Sequence, residues 1–108
     1  MRFVLFVIDG GSNTATPGEG AAIDAFNDRL TTGKHLILAA GIAGPSRATL
    51  INNRNELGAI TSGSLFSGTE HYSGFWIIEA DSPEQAQAFA VDGSRACNRR
   101  VELRPFLG

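Results

Sequence analysis

The change from strand to helix at residues 74–85 is the clearest pattern of apolar and polar positions in the chain. Phe75–Ile78 is a run of aromatic and β-branched residues, which favour β-strands, and Gly74 and Asp81–Pro83 bound it with turn-forming residues. Apolar side chains fall on both faces of this run. We therefore predict a central strand that is covered on both sides.

A helix is predicted directly after this strand. Ser82 is a favourable N-cap, Pro83 suits the first helical position, and Gln85 completes a capping box. We expect this helix to bury its small and aromatic side chains and to end at a turn-forming triplet. The expected buried residues are Ala86, Phe89 and Ala90, and the expected end is Asp92–Ser94.

The first third of the chain repeats this pattern. Arg2–Ile8 is apolar on both faces and predicts a second interior strand. Thr16 predicts a helix N-cap, followed by a proline and then by an acidic residue three positions after the cap, and Gly33 predicts the stop after Thr32. The expected buried stripe consists of Ile23, Phe26, Leu30 and the neighbouring Ala22.

The remaining segments complete the predicted topology. The expected strands are His35–Ile42, with a bend or bulge near Gly41, a hairpin formed by 48–51 and 57–61, and Arg99–Arg104. Residues 62–73 are predicted to form a long polar loop, and loops of this length often carry function. The order predicts one domain, residues 1–108, of the α+β class, with a ferredoxin-like β-α-β-β-α-β fold and an extra short hairpin.

Two helices can cover only one face of such a sheet. Both interior strands are nevertheless predicted to be apolar on both faces. A second copy of the same sheet is the simplest cover for the other face, so we predict a homodimer that forms a dimeric α+β barrel.

The charge and cysteine content narrows the function classes. Nine basic and eleven acidic residues are scattered over 108 positions and form no basic stripe, so we do not expect nucleic-acid binding. The single cysteine, Cys97, excludes an internal disulfide and a multi-cysteine metal site, and we expect it to be a small buried residue. The two histidines lie far apart in the sequence and lack a close set of carboxylates, so no metal site is expected.

Neither the glycine-rich segment nor the apolar start of the chain carries a functional signal. Asp9–Ala15 contains two adjacent glycines but lacks a Gly-Lys-Ser/Thr ending, so we predict a flexible loop and no nucleotide cofactor. The apolar start is too short for a signal peptide and ends without a cleavage-site pattern. No stretch reaches transmembrane length, so we expect no membrane partner and a cytoplasmic location.

Four segments of the chain resemble the YCII-related protein family, in particular its D-G-P-F subgroup. They are Gly33, Leu38–Ile42 with Pro45, Gly74–Ser82, and Val101–Phe106. The resemblance extends over nearly the whole chain and implies a dimeric α+β barrel with a pocket at or near the dimer interface. It does not imply a settled activity. Some members of the family are thought to be small enzymes, and some are encoded beside extracytoplasmic-function sigma factors.

The chain departs from the family's D-G-P-F-x-E signature. Counting back without a gap from the central strand places Leu65 at the phenylalanine of the signature. Gly63 keeps the glycine, whereas Ser62 and Ser67 replace the two carboxylates. A one-residue gap would bring Phe66 to the aromatic position but would not restore the Asp-Gly pair. The chain therefore lacks the carboxylates that general acid–base chemistry would use in this motif.

Three residues are candidates for catalysis. Glu102 and Arg104 are two positions apart on the last predicted strand and therefore point to the same face, toward the barrel interior. They are either a structural ion pair or a site where Arg104 contacts an anion or a carboxylate. His71 lies in the long loop, where it is either a general base or simply an exposed side chain. Neither His71 nor His35 matches the position of the histidine in the branch of the family that has a His–Asp pair.

Five further residues are candidates for ligand contacts. Four of them, Ser62, Gly63, Ser64 and Ser67, belong to the polar loop and either bind a ligand by hydrogen bonds or are ordinary loop residues. Trp76 either lines a pocket or packs in the core or the dimer contact. The arginines at positions 95, 99 and 100 are expected to form a solvated edge.

The expected function is the binding or transformation of a small metabolite by a homodimer, without a metal or a redox cofactor. One alternative is a non-catalytic binding or regulatory dimer that has lost the acidic residues of the family, and Ser62 and Ser67 slightly favour it. The other alternative, from fold analogy alone, is a cofactor-free monooxygenase-like or dehydratase-like enzyme.

Overall fold

The computed structural model of the chain describes residues 1–10 and 16–108. Residues 11–15, which belong to the predicted glycine-rich loop, lie outside this description. The elements in chain order are β1 (Arg2–Asp9), α1 (Glu19–Thr32), β2 (Leu36–Gly41), β3 (Thr49–Asn52), β4 (Ala59–Ser62), β5 (His71–Glu79), α2 (Pro83–Cys97) and β6 (Arg100–Pro105). Short 3₁₀ turns at Pro45–Arg47 and Arg54–Glu56 flank β3. Within the described ranges, no helix is long and apolar enough to cross a membrane.

Strands β2, β5, β1 and β6 form one antiparallel sheet in that order, and β3 pairs with β4 in a separate two-stranded ladder. The two strands predicted to be interior, β1 and β5, are the two central strands. This order confirms the α+β class and the ferredoxin-like pattern with an extra hairpin. One local prediction is wrong, because the register of β2 shifts between Leu36 and Leu38 and not near Gly41.

The hydrophobic core lies between the helices and one face of the sheet. Leu5 of β1 lies opposite Trp76 of β5 and Leu103 of β6, so three strands present apolar side chains to the helices. Phe26 and Leu30 of α1 are fully buried against them, as their helical spacing predicted. Each fully buried side chain of this size stabilises the fold by about 1.5–3 kcal/mol.

Helix α2 begins as the capping pattern predicted. The Ser82 hydroxyl accepts a hydrogen bond from the backbone N–H of Gln85 at 3.1 Å, and the Gln85 side chain accepts one from the backbone N–H of Asp81 at 2.6 Å. The first contact satisfies a backbone donor of the first helical turn, as predicted. The second binds the residue before the cap, whereas a capping box would bind the backbone N–H of Ser82 itself. The predicted buried face of α2 packs against the core, with Ala86 fully buried.

The end of α2 differs from the prediction. The helix continues through Asp92–Ser94 to Cys97, which is buried as expected. A Cβ atom at Gly93 would lie 3.2 Å from the Phe26 ring and 3.4 Å from the Trp76 ring. Gly93 therefore allows α2 to approach these two rings closely and does not end the helix.

The start of α1 also differs from the prediction. The helix begins at Glu19, and Gly18 occupies the cap position with a left-handed φ of 83°. Thr16 is not the N-cap, because the left-handed residue places it in a turn before the helix. Its backbone N–H and its hydroxyl instead bind the Glu19 carboxylate at 2.8 and 3.2 Å. Ala22, which was expected to be buried, is exposed on the first turn.

Arg99 is mostly buried, which corrects the prediction that it belongs to a solvated edge. Its side chain is 13% exposed and forms ion pairs with Asp9, at 3.2 Å, and with Glu19. It also donates a hydrogen bond to the Cys97 carbonyl at 2.7 Å. The backbone N–H of Thr16 and the guanidinium of Arg99 lower the pKa of Glu19 from its ordinary value. This network joins the end of β1, the start of α1 and the connection from α2 to β6.

The sheet face that points away from the helices is called the open face below. Glu102 lies opposite Phe6 and Arg104 lies opposite Val4, so both of these charged side chains point to this face, as predicted. The other side chains of the open face are mainly apolar, and Leu38 is 48% exposed. Its apolar side chains on β1, β2 and β5 include those of Val4, Phe6, Ile8, Leu38, Phe75 and Ile77.

Replacing Gly93 with alanine is expected to be less favourable than replacing Gly20. Both glycines are helical, so either substitution gains about 0.4–1 kcal/mol from the reduced freedom of the unfolded chain. A methyl group at Gly20 meets no atom within 4 Å, whereas at Gly93 it meets the Phe26 ring at 3.2 Å. Overpacking of this kind costs about 1–3 kcal/mol.

Urea denaturation should show that Gly20→Ala stabilises the protein and that Gly93→Ala destabilises it. Equal gains for both variants would mean that the Phe26 ring moves away freely.

Candidate functional site

A cavity of about 530 Å³ opens at one end of the open face, and we call it the Tyr72 cavity. Ile8 at the end of β1 and Tyr72 near the start of β5 line it side by side in the sheet. The connections before β3 and after β4 supply its other walls. The remaining lining residues are Ile42, Ala43, Gly44, Pro45, Arg47, Ala48, Ser64, Phe66, Glu70 and His71.

A β-bulge directs Tyr72 to the open face. Strict alternation along β5 would point its side chain toward the helices instead. Gly74 of β5 lies opposite Val7 of β1. The next residue of β1, Ile8, lies opposite Tyr72, so Ser73 is the extra residue of a bulge. The bulge therefore places the tyrosine ring, and not the serine, at the cavity.

The Tyr72 side chain is held by three neighbours on the open face. Its hydroxyl donates a hydrogen bond to the Glu102 carboxylate at 2.8 Å and accepts one from the Arg104 guanidinium at 2.9 Å. Arg104 also pairs with Glu102. The Tyr72 ring stacks on Phe6 with centroids 4.3 Å apart and an interplanar angle of 11°. The Arg104 guanidinium lies 5.6 Å from the centroid of the Phe6 ring. The stack on Phe6 consequently fixes the plane of the tyrosine ring, and the two hydrogen bonds fix its hydroxyl.

This contact changes the protonation behaviour of both partners. The Tyr72 hydroxyl, and after it Arg104, lowers the pKa of Glu102 from its ordinary value. Glu102, as the acceptor, raises the pKa of Tyr72. Glu102 and Arg104 thus form the ion pair that was one of the two interpretations of their spacing. They contact the cavity through Tyr72, because neither of them belongs to its lining.

His71 lines the cavity from the first position of β5, and not from a loop as the sequence analysis expected. Its Nδ1 lies 3.0 Å from the carbonyl oxygen of Thr69. A carbonyl can only accept a hydrogen bond, so Nδ1 carries the proton of the neutral ring. This leaves Nε2 as the nitrogen that can accept a proton.

Of the four predicted loop residues, the structure places only Ser64 in the cavity lining. Ser62 is the last residue of β4 and pairs with Thr49 across the hairpin. Gly63 has a φ of 106° and donates its backbone N–H to the Ala48 carbonyl at 2.7 Å. Neither of these two residues nor Ser67 belongs to the lining, whereas Ser64 does.

Trp76 lies on the opposite side of the sheet from the Tyr72 cavity. It is 4% exposed, its indole N–H donates to the Asn27 side chain at 2.7 Å, and it packs edge-on against Phe26. It lines a smaller space of about 300 Å³ next to the helices, together with Cys97. The structure therefore does not bring Trp76 together with the other candidate residues.

Sequence reasoning missed Tyr72, Arg47 and Ile8 as lining residues. The sequence does not single out Tyr72, since the bulge that exposes it leaves no mark in the pattern of apolar positions. Arg47 follows the turn-forming residues Gly44–Ser46, and nothing in its local sequence distinguishes it from a surface arginine. In the described part of the chain, no three His, Cys, Asp or Glu side chains lie close enough to share a metal ion.

Comparison with solved structures shows a likeness in overall fold. No family model and no curated protein matches the chain. Among solved structures, the chain is similar to the 5-chloro-2-hydroxyhydroquinone dehydrochlorinase of Burkholderia phenoliruptrix AC1100, in a complex with 2,5-dihydroxybenzoquinone. The identity is 14%, the match covers 99% of this chain and 94% of the other, and the TM-score is 0.48. The resemblance to the D-G-P-F subgroup stays a prediction.

Replacing Tyr72 with phenylalanine is expected to raise the pKa of Glu102 toward its ordinary value of 4.5. The substitution keeps the ring that stacks on Phe6 but removes the hydroxyl that contributes most to lowering this pKa. Arg104 remains as a second cause, so the pKa should rise only part of the way. Carboxyl-carbon NMR titration of Glu102 in both proteins measures the change. An identical titration curve in the variant would contradict the hydrogen bond between Tyr72 and Glu102.

Proposed function

We propose that this chain is a homodimeric protein that binds a small organic molecule in the Tyr72 cavity. The observation that supports this proposal best is that Ile8 and Tyr72 line the cavity and also belong to the open face. A second copy that covers the open face would therefore also close the cavity. A volume of about 530 Å³ lies within the usual range of small-ligand sites. The arrangement agrees with the interface pocket that the YCII-related resemblance implies.

The chemistry of the open face suits a second copy of the same sheet. Its apolar side chains favour burial, and two sheets pack face to face at a distance of about 10 Å. Glu102 and Arg104 neutralise each other on this face, and Tyr72 adds a hydrogen bond to each of them. Covering the face would consequently leave no unpaired charge in the contact.

Proton transfer is the chemistry that the cavity supports best. His71 is the one histidine among the described lining residues, and its Nε2 is left to take a proton from a bound molecule. Catalysis of this kind does not depend on the carboxylates of the family signature. A dimer that only binds its ligand is the second candidate, because Ser62 and Ser67 replace those carboxylates and neither lies in the cavity lining.

Replacing Ile77 with arginine is expected to break the homodimer. Ile77 lies on the open face, so a second copy would have to bury the new charge without a partner. Val91→Arg is the matched control, because Val91 is 57% exposed on α2. Sedimentation equilibrium at micromolar concentration should give twice the 11.4 kDa chain mass for wild type and Val91→Arg, and the single mass for Ile77→Arg. Circular dichroism checks that each variant is folded. A monomeric wild type would rule out the dimer.

Filling the Tyr72 cavity is expected to abolish ligand binding. Ala43 is an exposed lining residue, so Ala43→Trp can project a large ring into the cavity without disturbing the core. Ala88→Trp, on the exposed side of α2, is the matched control. Fragments that shift the amide NMR signals of Ser64 and Tyr72 in the wild type should bind at least tenfold more weakly to Ala43→Trp and equally well to Ala88→Trp. If no fragment shows this pattern, the cavity is not a ligand site.

A further inference from the structure

The polar lining residues of the Tyr72 cavity differ in whether they already have partners. Glu70 forms an ion pair with Arg100, so its charge is neutralised beside the cavity. The Tyr72 hydroxyl is engaged by Glu102 and Arg104, and His71 Nδ1 by a backbone carbonyl. The charge balance of the site therefore depends on the one lining cation that remains.

That cation is Arg47. Among the residues that the structure describes, no ion pair or side-chain hydrogen bond includes it. It lies in the short turn before β3 and lines the cavity next to Pro45 and Ala48. With Glu70 neutralised by Arg100, Arg47 gives the lining a net charge of about +1 when His71 is neutral. A site with one positive charge is complementary to a ligand with one negative charge.

The guanidinium group limits the kind of anion. Its planar pair of N–H donors matches the two oxygens of a carboxylate, which it binds through two parallel hydrogen bonds. A phosphate monoester carries about two negative charges near neutral pH. Among the described lining residues, Arg47 is the one cation without a partner, and Glu70 adds a carboxylate to the wall. A monocarboxylate therefore fits this charge distribution better than a phosphate ester.

The other lining residues indicate the chemistry of the part of the ligand beyond its carboxylate. Ile8, Ile42, Pro45 and Phe66 are apolar and favour an apolar body. The ring of Tyr72 is held in place by its stack on Phe6 and by the bonds to its hydroxyl. A fixed aromatic surface of this kind favours a flat ring in offset-stacked or edge-on contact.

We propose that the ligand of the Tyr72 cavity is a small monocarboxylate with a flat apolar body. Its carboxylate pairs with Arg47 and its ring packs beside Tyr72. This inference rests on the proposed function and names the ligand class of the same site.

Benzoate and its uncharged isostere benzamide are the probes that test the role of Arg47. Their dissociation constants are measured by amide NMR titration of the wild type, Arg47→Gln and Arg54→Gln. Arg54 is the matched control, because it lies at the tip of the hairpin and its side chain binds Asn52. We expect Arg47→Gln to raise the dissociation constant of benzoate at least tenfold and to leave that of benzamide unchanged. Arg54→Gln should change neither dissociation constant. Added salt should weaken the binding of benzoate and leave the binding of benzamide unchanged.

Two further probes test the shape and the charge of the ligand. Cyclohexanecarboxylate keeps the charge but not the flat ring, and phenyl phosphate keeps the ring but carries more charge. Both should bind the wild type more weakly than benzoate does. Equal or tighter binding of cyclohexanecarboxylate would overturn the proposal that the ligand has a flat body. Tighter binding of phenyl phosphate would overturn the proposal that the ligand is a monocarboxylate.

Failure of this inference can be told apart from failure of the proposed function. If benzoate and benzamide bind equally and Arg47→Gln affects neither, the carboxylate assignment is wrong. The proposed function would still stand in that case, provided that Ala43→Trp blocks both probes and Ala88→Trp does not. If all four probes bind Ala43→Trp as well as they bind the wild type, both proposals are overturned.

Discussion

The sheet carries apolar side chains on both faces, and α1 and α2 cover only one of them. This imbalance shapes the rest of the molecule. The covered face forms the core around Phe26, Leu30 and Trp76, where Gly93 lets α2 approach the aromatic rings closely. The open face carries the paired charges of β6 and leads into the Tyr72 cavity. Because exposed apolar sheet surface is costly in water, the proposed second copy and the proposed ligand site both follow from the same face.

Two networks of paired charges stabilise this fold. Arg99 joins Asp9 and Glu19 across segments that are far apart in the chain, which fixes the start of α1 near the end of β1. Glu102 and Arg104 bind the Tyr72 hydroxyl and fix the position of the Tyr72 ring on the open face. In both networks each charged group has an ion-pair partner, which the burial of Arg99 and Glu19 requires. Their effect on function differs, since the first supports the fold and the second orients a wall of the cavity.

The accuracy of the sequence predictions depended on how far apart the deciding residues are. The start of α2 was predicted correctly, because a capping box involves residues within a few positions of Ser82. The end of α2 was not, because the role of Gly93 depends on Phe26, which belongs to another helix. The start of α1 likewise depends on Arg99, which binds Glu19 from the far end of the chain. Local signals cannot report contacts of this kind.

The sequence by itself determined the order of elements, the two central strands and the face shared by Glu102 and Arg104. Apolar alternation and capping are properties of neighbouring residues, so they can be read along the chain. Only the tertiary structure decided which side chains form the cavity. Tyr72 faces it because of a bulge at Ser73, and a bulge exists only relative to the partner strand. Arg47 joins it because the connection before β3 lines the same cavity as Ile8 and Tyr72, and no local pattern records a contact between such distant segments.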